Sequence, residues 1–138
     1  MFKKSTKFLI VDDMNMFRAM VKQSLTAMEF TKHFEANDGS VALKMLEEAV
    51  QSNEPFEFVI CDWNMPKMKG IELLRKVRAS SWGKTLPFLM LTAEAEKTTV
   101  VEALKEGVDG YIIKPFTVNS LSANLKAIHD KKNVSKAS

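Results

Sequence analysis

Four short runs along the chain are almost unbroken in apolar character: Phe8 to Val11, Phe58 to Cys61, Phe88 to Leu91 and Tyr111 to Ile113. A fifth, His33 to Ala36, is weaker. Their shortness and their β-branched or aromatic content predict strands. They do not alternate with polar residues, so both faces of each strand are expected to be buried, as in a parallel sheet covered by helices on either side. Between the runs, apolar positions recur at helical spacing. Phe17, Met20, Val21, Leu25 and Met28 share one face, and Ala42, Met45, Leu46, Ala49 and Val50 another. Ile71, Leu74 and Val77 form a third stripe. Val100, Val101 and Leu104 form a fourth, closed by Gly107 as a C′ residue with Lys105 in the last turn. Val118, Leu121, Leu125 and Ile128 form the last. Strand then helix, repeated about five times, predicts right-handed βαβ units in an open, doubly wound α/β sheet. The stretch from Gln51 to Glu57, with its Ser-Asn-Glu-Pro sequence, reads as a surface loop. Positions 1–130 are expected to form the domain and the polar positions 131–138 a flexible tail.

Composition narrows this picture only a little. With 138 residues the chain fits one domain, and 46% hydrophobic with 27% charged residues suits an ordinary globular protein. The net charge of +3 is spread along the chain rather than gathered into the dense basic field of a nucleic-acid binder. Cys61 is the single cysteine, so no internal disulfide can form, which agrees with a cytoplasmic location. Its expected role is a buried strand residue rather than a reactive thiol. The Met-Phe-Lys-Lys start resembles the basic end of a signal peptide. The apolar run that follows stops at Asp12 and is too short for a signal core or a membrane span.

Chemistry collects where such sheets bind ligands, at the carboxyl ends of the strands. Asp12 and Asp13 follow the first strand, Asp62 and then Asn64 follow the third, Thr92 closes the fourth and Lys114 the fifth. Three carboxylates converging in one cleft repel each other unless some stay protonated or a cation intervenes. Mg²⁺ suits the role, because it takes oxygen ligands and commonly joins carboxylates to phosphate oxygens. A lysine charge and a threonine hydroxyl beside it complete a phosphate site, with one carboxylate available as nucleophile. Each residue also has an ordinary explanation: Asp13 as a helix N-cap, Asp62 as a turn cap, Thr92 in a local turn, Lys114 as a surface lysine before a proline. The conjunction at successive strand ends carries the argument.

The residues that carry this chemistry form four blocks. They are Phe-Leu-Ile-Val-Asp-Asp from Phe8, Cys-Asp-Trp-Asn-Met-Pro-Lys-Met-Lys-Gly from Cys61, Leu-Thr-Ala-Glu-Ala from Leu91 and Gly-Tyr-Ile-Ile-Lys-Pro-Phe from Gly110. In these blocks the chain resembles the response regulator receiver domains of two-component signalling, above all the CheY-like chemotaxis regulators. The likeness runs from about Lys7 to Ile128. It implies a single-domain, flavodoxin-like fold with strand order 2-1-3-4-5, an order for which CheY is a standard example. It implies Asp62 as phospho-acceptor, and Asp13, Asp12 (largely through water), Asp62 and the Asn64 backbone carbonyl around Mg²⁺. Thr92 and Lys114 are implied to contact the phosphoryl group, Tyr111 to act as an aromatic switch, and the Lys114–Pro115 bond to be cis. Ala93 is small enough to leave the acceptor open. Asn64 and Glu94 are implied to border the path of the hydrolytic water, giving a phosphoaspartate that lives seconds to minutes.

By the same resemblance the phosphodonor is a histidine kinase, and the protein is a monomeric switch rather than an enzyme with a substrate of its own. The expected partner face comprises Lys97, Val100, Tyr111, Ile113 and Phe116, with the flagellar motor switch as first candidate effector. No output domain follows the last helix, so output is expected through another protein. Three departures stand out. Lys67 and Lys69 lie close to Asp62 in sequence, where the enteric chemotaxis regulator is neutral and acidic, and are expected to modulate the lifetime. The connection around Gln51 to Glu57 is longer. Asn124 and Ala127 replace an expected basic surface on the last helix, which bears on the motor partner. Two other functions stay open: a phosphate sink or phosphorelay carrier, and a Mg²⁺-dependent phosphohydrolase with an aspartyl nucleophile. The hydrolase reading is weakened by Asn64, which stands where those enzymes carry a second carboxylate.

Overall fold

Apolar runs without polar alternation can be satisfied only if both sheet faces are covered, and the chain folds that way. The computed structural model describes residues 1–137, with side chains described through 133. Strands β1 (Phe8–Val11), β2 (His33–Ala36), β3 (Phe58–Cys61), β4 (Phe88–Thr92) and β5 (Gly110–Ile113) alternate with helices α1 (Asn15–Ala27), α2 (Gly39–Gln51), α3 (Gly70–Ala79), α4 (Lys97–Lys105) and α5 (Val118–Ala137). All strand pairings are parallel, in the order β2-β1-β3-β4-β5. The α/β class, the five-stranded sheet and the expected strand order are therefore all present.

Alternate residues of the central strands supply two core layers. Leu9, Val11, Val59, Cys61, Phe88 and Met90 pack with Ala42, Leu46, Leu73, Leu74 and Val77 from α2 and α3. Phe8, Ile10, Phe58, Ile60, Leu89 and Leu91 pack on the other side with Val21 and Leu25 from α1 and Leu121, Leu125 and Ile128 from α5. Each buried Val, Leu, Ile, Phe or Met side chain among them contributes about 1.5–3 kcal/mol by leaving water. Strand β2 reads weakly in sequence because it is an edge strand: His33 is half-buried, Phe34 and Glu35 are exposed, and only Ala36 is buried.

Helix α4 departs from the sequence pattern. Of the stripe Val100, Val101 and Leu104, Val100 is half-buried, but Val101 and Leu104 face away from the sheet at 37% and 57% exposed, and Ala103 is the buried residue of the helix. Arg75 of α3 pairs with Glu102 and Glu106, which lie on one side of Ala103 along the helix. With that side turned to α3, Ala103 faces inward, and Val101 and Leu104 face out. Gly107 then ends the helix at φ 92, a left-handed conformation that glycine adopts without strain. Helix α5 continues past Ile128 to Ala137, through most of the expected tail; the side chains of positions 134–138 lie outside the described residues.

Polar fastenings close both ends of the sheet. Asp38 caps α2, its Oδ1 accepting from the N–H groups of Ser40 and Val41 at 2.7 and 3.0 Å. At the end of the sheet away from the acidic residues, Arg78 donates to the carbonyls of Gly83, Leu86 and Gly107 and pairs with Asp109 at 3.0 Å. Asp109 also accepts from the Phe88 N–H at 2.9 Å.

Two stability measurements check these fastenings. Arg78→Met leaves three carbonyls and a largely buried carboxylate short of a donor, and is expected to cost roughly 3 kcal/mol in urea unfolding. Asp38→Ala is expected to cost about 1 kcal/mol near neutral pH. The Ser40 side chain, the Val41 and Ser40 N–H groups and the nearby Lys67 charge hold the Asp38 carboxyl below its usual range. A folded-state value below the unfolded one gives stability that is complete above the unfolded value. The difference between wild type and Asp38→Ala should therefore shrink as the pH falls below about 4.

Candidate functional site

Strand register decides which acidic residues meet. Val11 pairs with Cys61, so Asp12 and Asp62 leave neighbouring strands side by side, and the Asp62 N–H donates to the Val11 carbonyl at 2.9 Å. Both are buried, at 5% and 8% exposed, whereas Asp13 is exposed. One carboxylate oxygen from each of Asp12, Asp13 and Asp62 lies within 4.8 Å of the others. Asp12 Oδ1 accepts from the Met14 N–H at 2.9 Å and its Oδ2 from Lys114 Nζ at 2.8 Å. Asp62 Oδ1 accepts from the Trp63 N–H at 2.7 Å, and its Oδ2 lies 3.4 Å from Lys114 Nζ. Asp13 does not cap α1: the N-cap is Met14, with no side-chain cap bond. Burial raises the Asp12 carboxyl above its usual range and Asp62 pushes the same way, while hydrogen bonds from Lys114 and Met14 draw it back.

This donor set fits a hard divalent cation. Three carboxylates face one lysine, and oxygen is the only ligand atom they offer. Asp12, Asp13 and Asp62 are the side chains that could hold the ion. Asn64 follows in the exposed loop after β3, and its amide donates to the Glu94 carboxylate across the site.

Lys114 is placed with unusual definition for a lysine. It follows β5, where Ile113 pairs with Thr92, and its own N–H donates to the Thr92 carbonyl at 2.8 Å. Its ammonium lies 3.6 Å from the Phe17 ring centroid, and its side chain is 7% exposed. Phe17 reads in sequence as one more core residue of α1; here it walls the ammonium. The Lys114–Pro115 bond is cis. Thr92 is 1% exposed, and its Oγ1 accepts from the Glu94 N–H at 3.3 Å, so it takes part in a local turn while standing at the strand end beside the site. The Tyr111 hydroxyl donates to the Glu94 carbonyl at 2.8 Å. Burial, then the charges of Glu94 and Asp62, push its phenol up to about 12. Ala93 is exposed between these groups.

The remaining sequence-selected residues are more scattered. Lys67 is exposed at φ 65, in a tight turn where the Met68 N–H donates to the Pro66 carbonyl at 2.7 Å. Its charge acts on Asp38, the cap of α2. Lys69 is exposed at the start of α3, its N–H donating to Glu72 at 3.2 Å. Neither lysine forms an ion pair with the acidic cluster among the described residues. Lys97 is exposed, Val100 half-buried and Ile113 46% exposed, whereas Phe116 is 8% exposed and lies in the core layer with α1 and α5. Cys61 is fully buried, and burial drives its thiol well up, with Asp62 and Asp12 adding to the effect, so it is not a reactive group.

Gly70 closes the block that begins at Cys61, but the sequence reading gives it no role of its own. A Cβ there would stand 2.0 Å from the Asp62 carbonyl oxygen, so only glycine lets α3 begin against the backbone of Asp62. Its position at a helix start after the Asp62 loop was the available signal.

The family model for the response regulator receiver domain matches residues 8–126. The chain is 45% identical over 128 residues to chemotaxis protein CheY-3 of Vibrio cholerae, covering 93% of this chain and 95% of that one. It is 45% identical over 127 residues to chemotaxis protein CheY of Pseudomonas aeruginosa, covering 92% and 98%. Among solved structures it is similar to V. cholerae CheY4, with TM-score 0.80, 34% identity and coverage of 90% and 98%. It is also similar to a CheY-like receiver domain protein from Methanospirillum hungatei, with TM-score 0.81, 27% identity and coverage of 95% and 98%. The chain belongs to the response regulator receiver domain family.

Proposed function

We propose that this receiver domain accepts a phosphoryl group on Asp62 from a histidine kinase, with Mg²⁺ held by Asp12, Asp13, Asp62 and the Asn64 carbonyl, and that phosphorylation changes its affinity for an effector. The observation that carries the reading is one lysine ammonium shared by two buried carboxylates, with a third carboxylate within 4.8 Å. In the reaction a carboxylate oxygen of Asp62 attacks phosphorus, and the bond from phosphorus to the kinase imidazole nitrogen breaks. The bound cation would supply charge neutralisation at the phosphoryl oxygens. The Trp63 N–H holds the Asp62 carboxylate in orientation. Lys114 moves its ammonium from Asp12 toward the arriving phosphoryl group over a short distance, its backbone anchored to Thr92. Thr92 Oγ1, which accepts only a long 3.3 Å bond from the Glu94 N–H, turns its hydroxyl to the phosphoryl oxygen. That movement reaches Glu94, whose carbonyl holds Tyr111, and so passes to β5.

The effector reading is favoured over a phosphate sink by the outer surface of α4 and β5. Leu104, Ile113 and Val101 are 57%, 46% and 37% exposed there, apolar surface that a docked partner would cover. The names of the curated relatives point to chemotaxis, and the flagellar motor switch is the first effector to test. A cytoplasmic site of action agrees with this role. Among the described residues no helix is long and apolar enough to cross a membrane.

Trp63, buried beside the acceptor, reports on both steps. Its fluorescence should change on Mg²⁺ addition and again, saturably, with acetyl phosphate; Asp62→Asn should abolish the second change. A wild-type protein that folds but shows no donor response would refute phosphorylation at Asp62. Ile113→Glu should leave the phosphorylation rate unchanged and weaken binding of the phosphorylated form to motor-switch peptides by about tenfold or more. Equal peptide affinity with and without phosphorylation would exclude the motor as target.

A further inference from the structure

Among the three clustered carboxylates, Asp13 has no hydrogen bond or ion pair to fix it among the described residues, so its place is set by the backbone that carries it. That backbone is held on two sides. Inside, Asp12 Oδ1 closes a turn over Asp13 by accepting the Met14 N–H at 2.9 Å. Outside, Arg18 of α1 donates through Nη1 to the Asp12 carbonyl at 2.6 Å and through Nη2 to the Asn15 side chain. Its Nε donates to Glu35 Oε1 of β2 at 2.9 Å. Lys22 takes the other Glu35 oxygen at 3.0 Å, and Lys22 and Arg18 together hold the Glu35 carboxyl below its usual range. The Arg18 side chain is only 13% exposed.

The geometry points to Arg18 as a positioning residue for the acidic pair, its guanidinium bracing the Asp12–Asn15 turn against β2 so that Asp13 is presented to the cation beside Asp12 and Asp62. This rests on the reading of those three carboxylates as the Mg²⁺ site. A planar fork with separate donors for a carbonyl, an amide oxygen and a carboxylate is something a lysine ammonium cannot reproduce. Charge alone gives the opposite expectation. A cation beside an acidic cluster repels Mg²⁺, so if Arg18 acted only through its charge, removing it would tighten Mg²⁺ binding.

The test titrates Mg²⁺ against Trp63 fluorescence in the full chain, with urea unfolding of each variant alongside. Arg18→Lys, which keeps the charge and loses the fork, should raise the Mg²⁺ dissociation constant about tenfold with little change in unfolding midpoint. Arg18→Met should also weaken binding. Glu35→Gln should weaken it less, and adding it to Arg18→Lys should weaken binding no further, because Glu35 acts through Arg18. Wild-type affinity in Arg18→Lys, or tighter binding in Arg18→Met, would overturn the inference. Loss of stability in Arg18→Lys at unchanged Mg²⁺ affinity would overturn it too, leaving a structural role. If the wild-type protein itself gives no Mg²⁺ response, the metal reading falls first and the inference with it.

Discussion

Val11 and Cys61 are paired across adjacent parallel strands, and that pairing sets the buried Asp12 and Asp62 side by side, where their charges repel. At separations of this size, two carboxylate charges near a protein surface cost on the order of 3 kcal/mol. The surrounding structure is organised to carry that cost. Backbone N–H groups of Met14 and Trp63 take one oxygen of each carboxylate, and the Lys114 ammonium stands against the other oxygen of each. A single lysine cannot neutralise three carboxylates. The imbalance leaves a net-negative cluster that could hold a divalent cation.

The groups that surround the acid cluster are coupled to one another through short links. Lys114 is bonded through its backbone to Thr92 and through its side chain to Asp12. Thr92 accepts from the Glu94 N–H, and the Glu94 carbonyl accepts from Tyr111. Hydrogen bonds thus tie the residues around Asp62 to Tyr111 of β5. The glycines serve the same precision: Gly70 lets α3 start directly on the backbone of Asp62, and Gly39 donates its N–H to the Met68 carbonyl, joining the loop after Asp62 to the start of α2.

Much of this was legible in the sequence. Apolar runs without alternation predicted buried parallel strands, and the polar residue at the end of each run identified Asp12, Asp62, Thr92 and Lys114 before any geometry was known. Those inferences hold because strand burial and strand-end placement depend on local pattern and on the general rule that parallel sheets bind ligands at their carboxyl ends. Other features depend on partners distant in sequence. On α4 the inward residue is Ala103, and Val101 and Leu104, which read as core, face outward beside the Arg75 pairs with Glu102 and Glu106. Phe116 reads as part of a partner face, but packs inward with α1 and α5. Phe17 reads as core and stands over the Lys114 ammonium.

By itself, then, the sequence determined the order of the elements, the sheet's two-sided burial and the identity of the charged groups at its carboxyl edge, because each follows from the periodicity and chemistry of neighbouring residues. Only the tertiary structure decided which carboxylate oxygens face which donors, that Lys114 bridges Asp12 and Asp62 while Lys67 acts on Asp38, and that Arg18 links the acidic turn to Glu35. Those outcomes turn on side-chain reach and strand register across tens of residues. A hydrogen bond or ion pair forms or fails within about an ångström, and no local pattern carries that information.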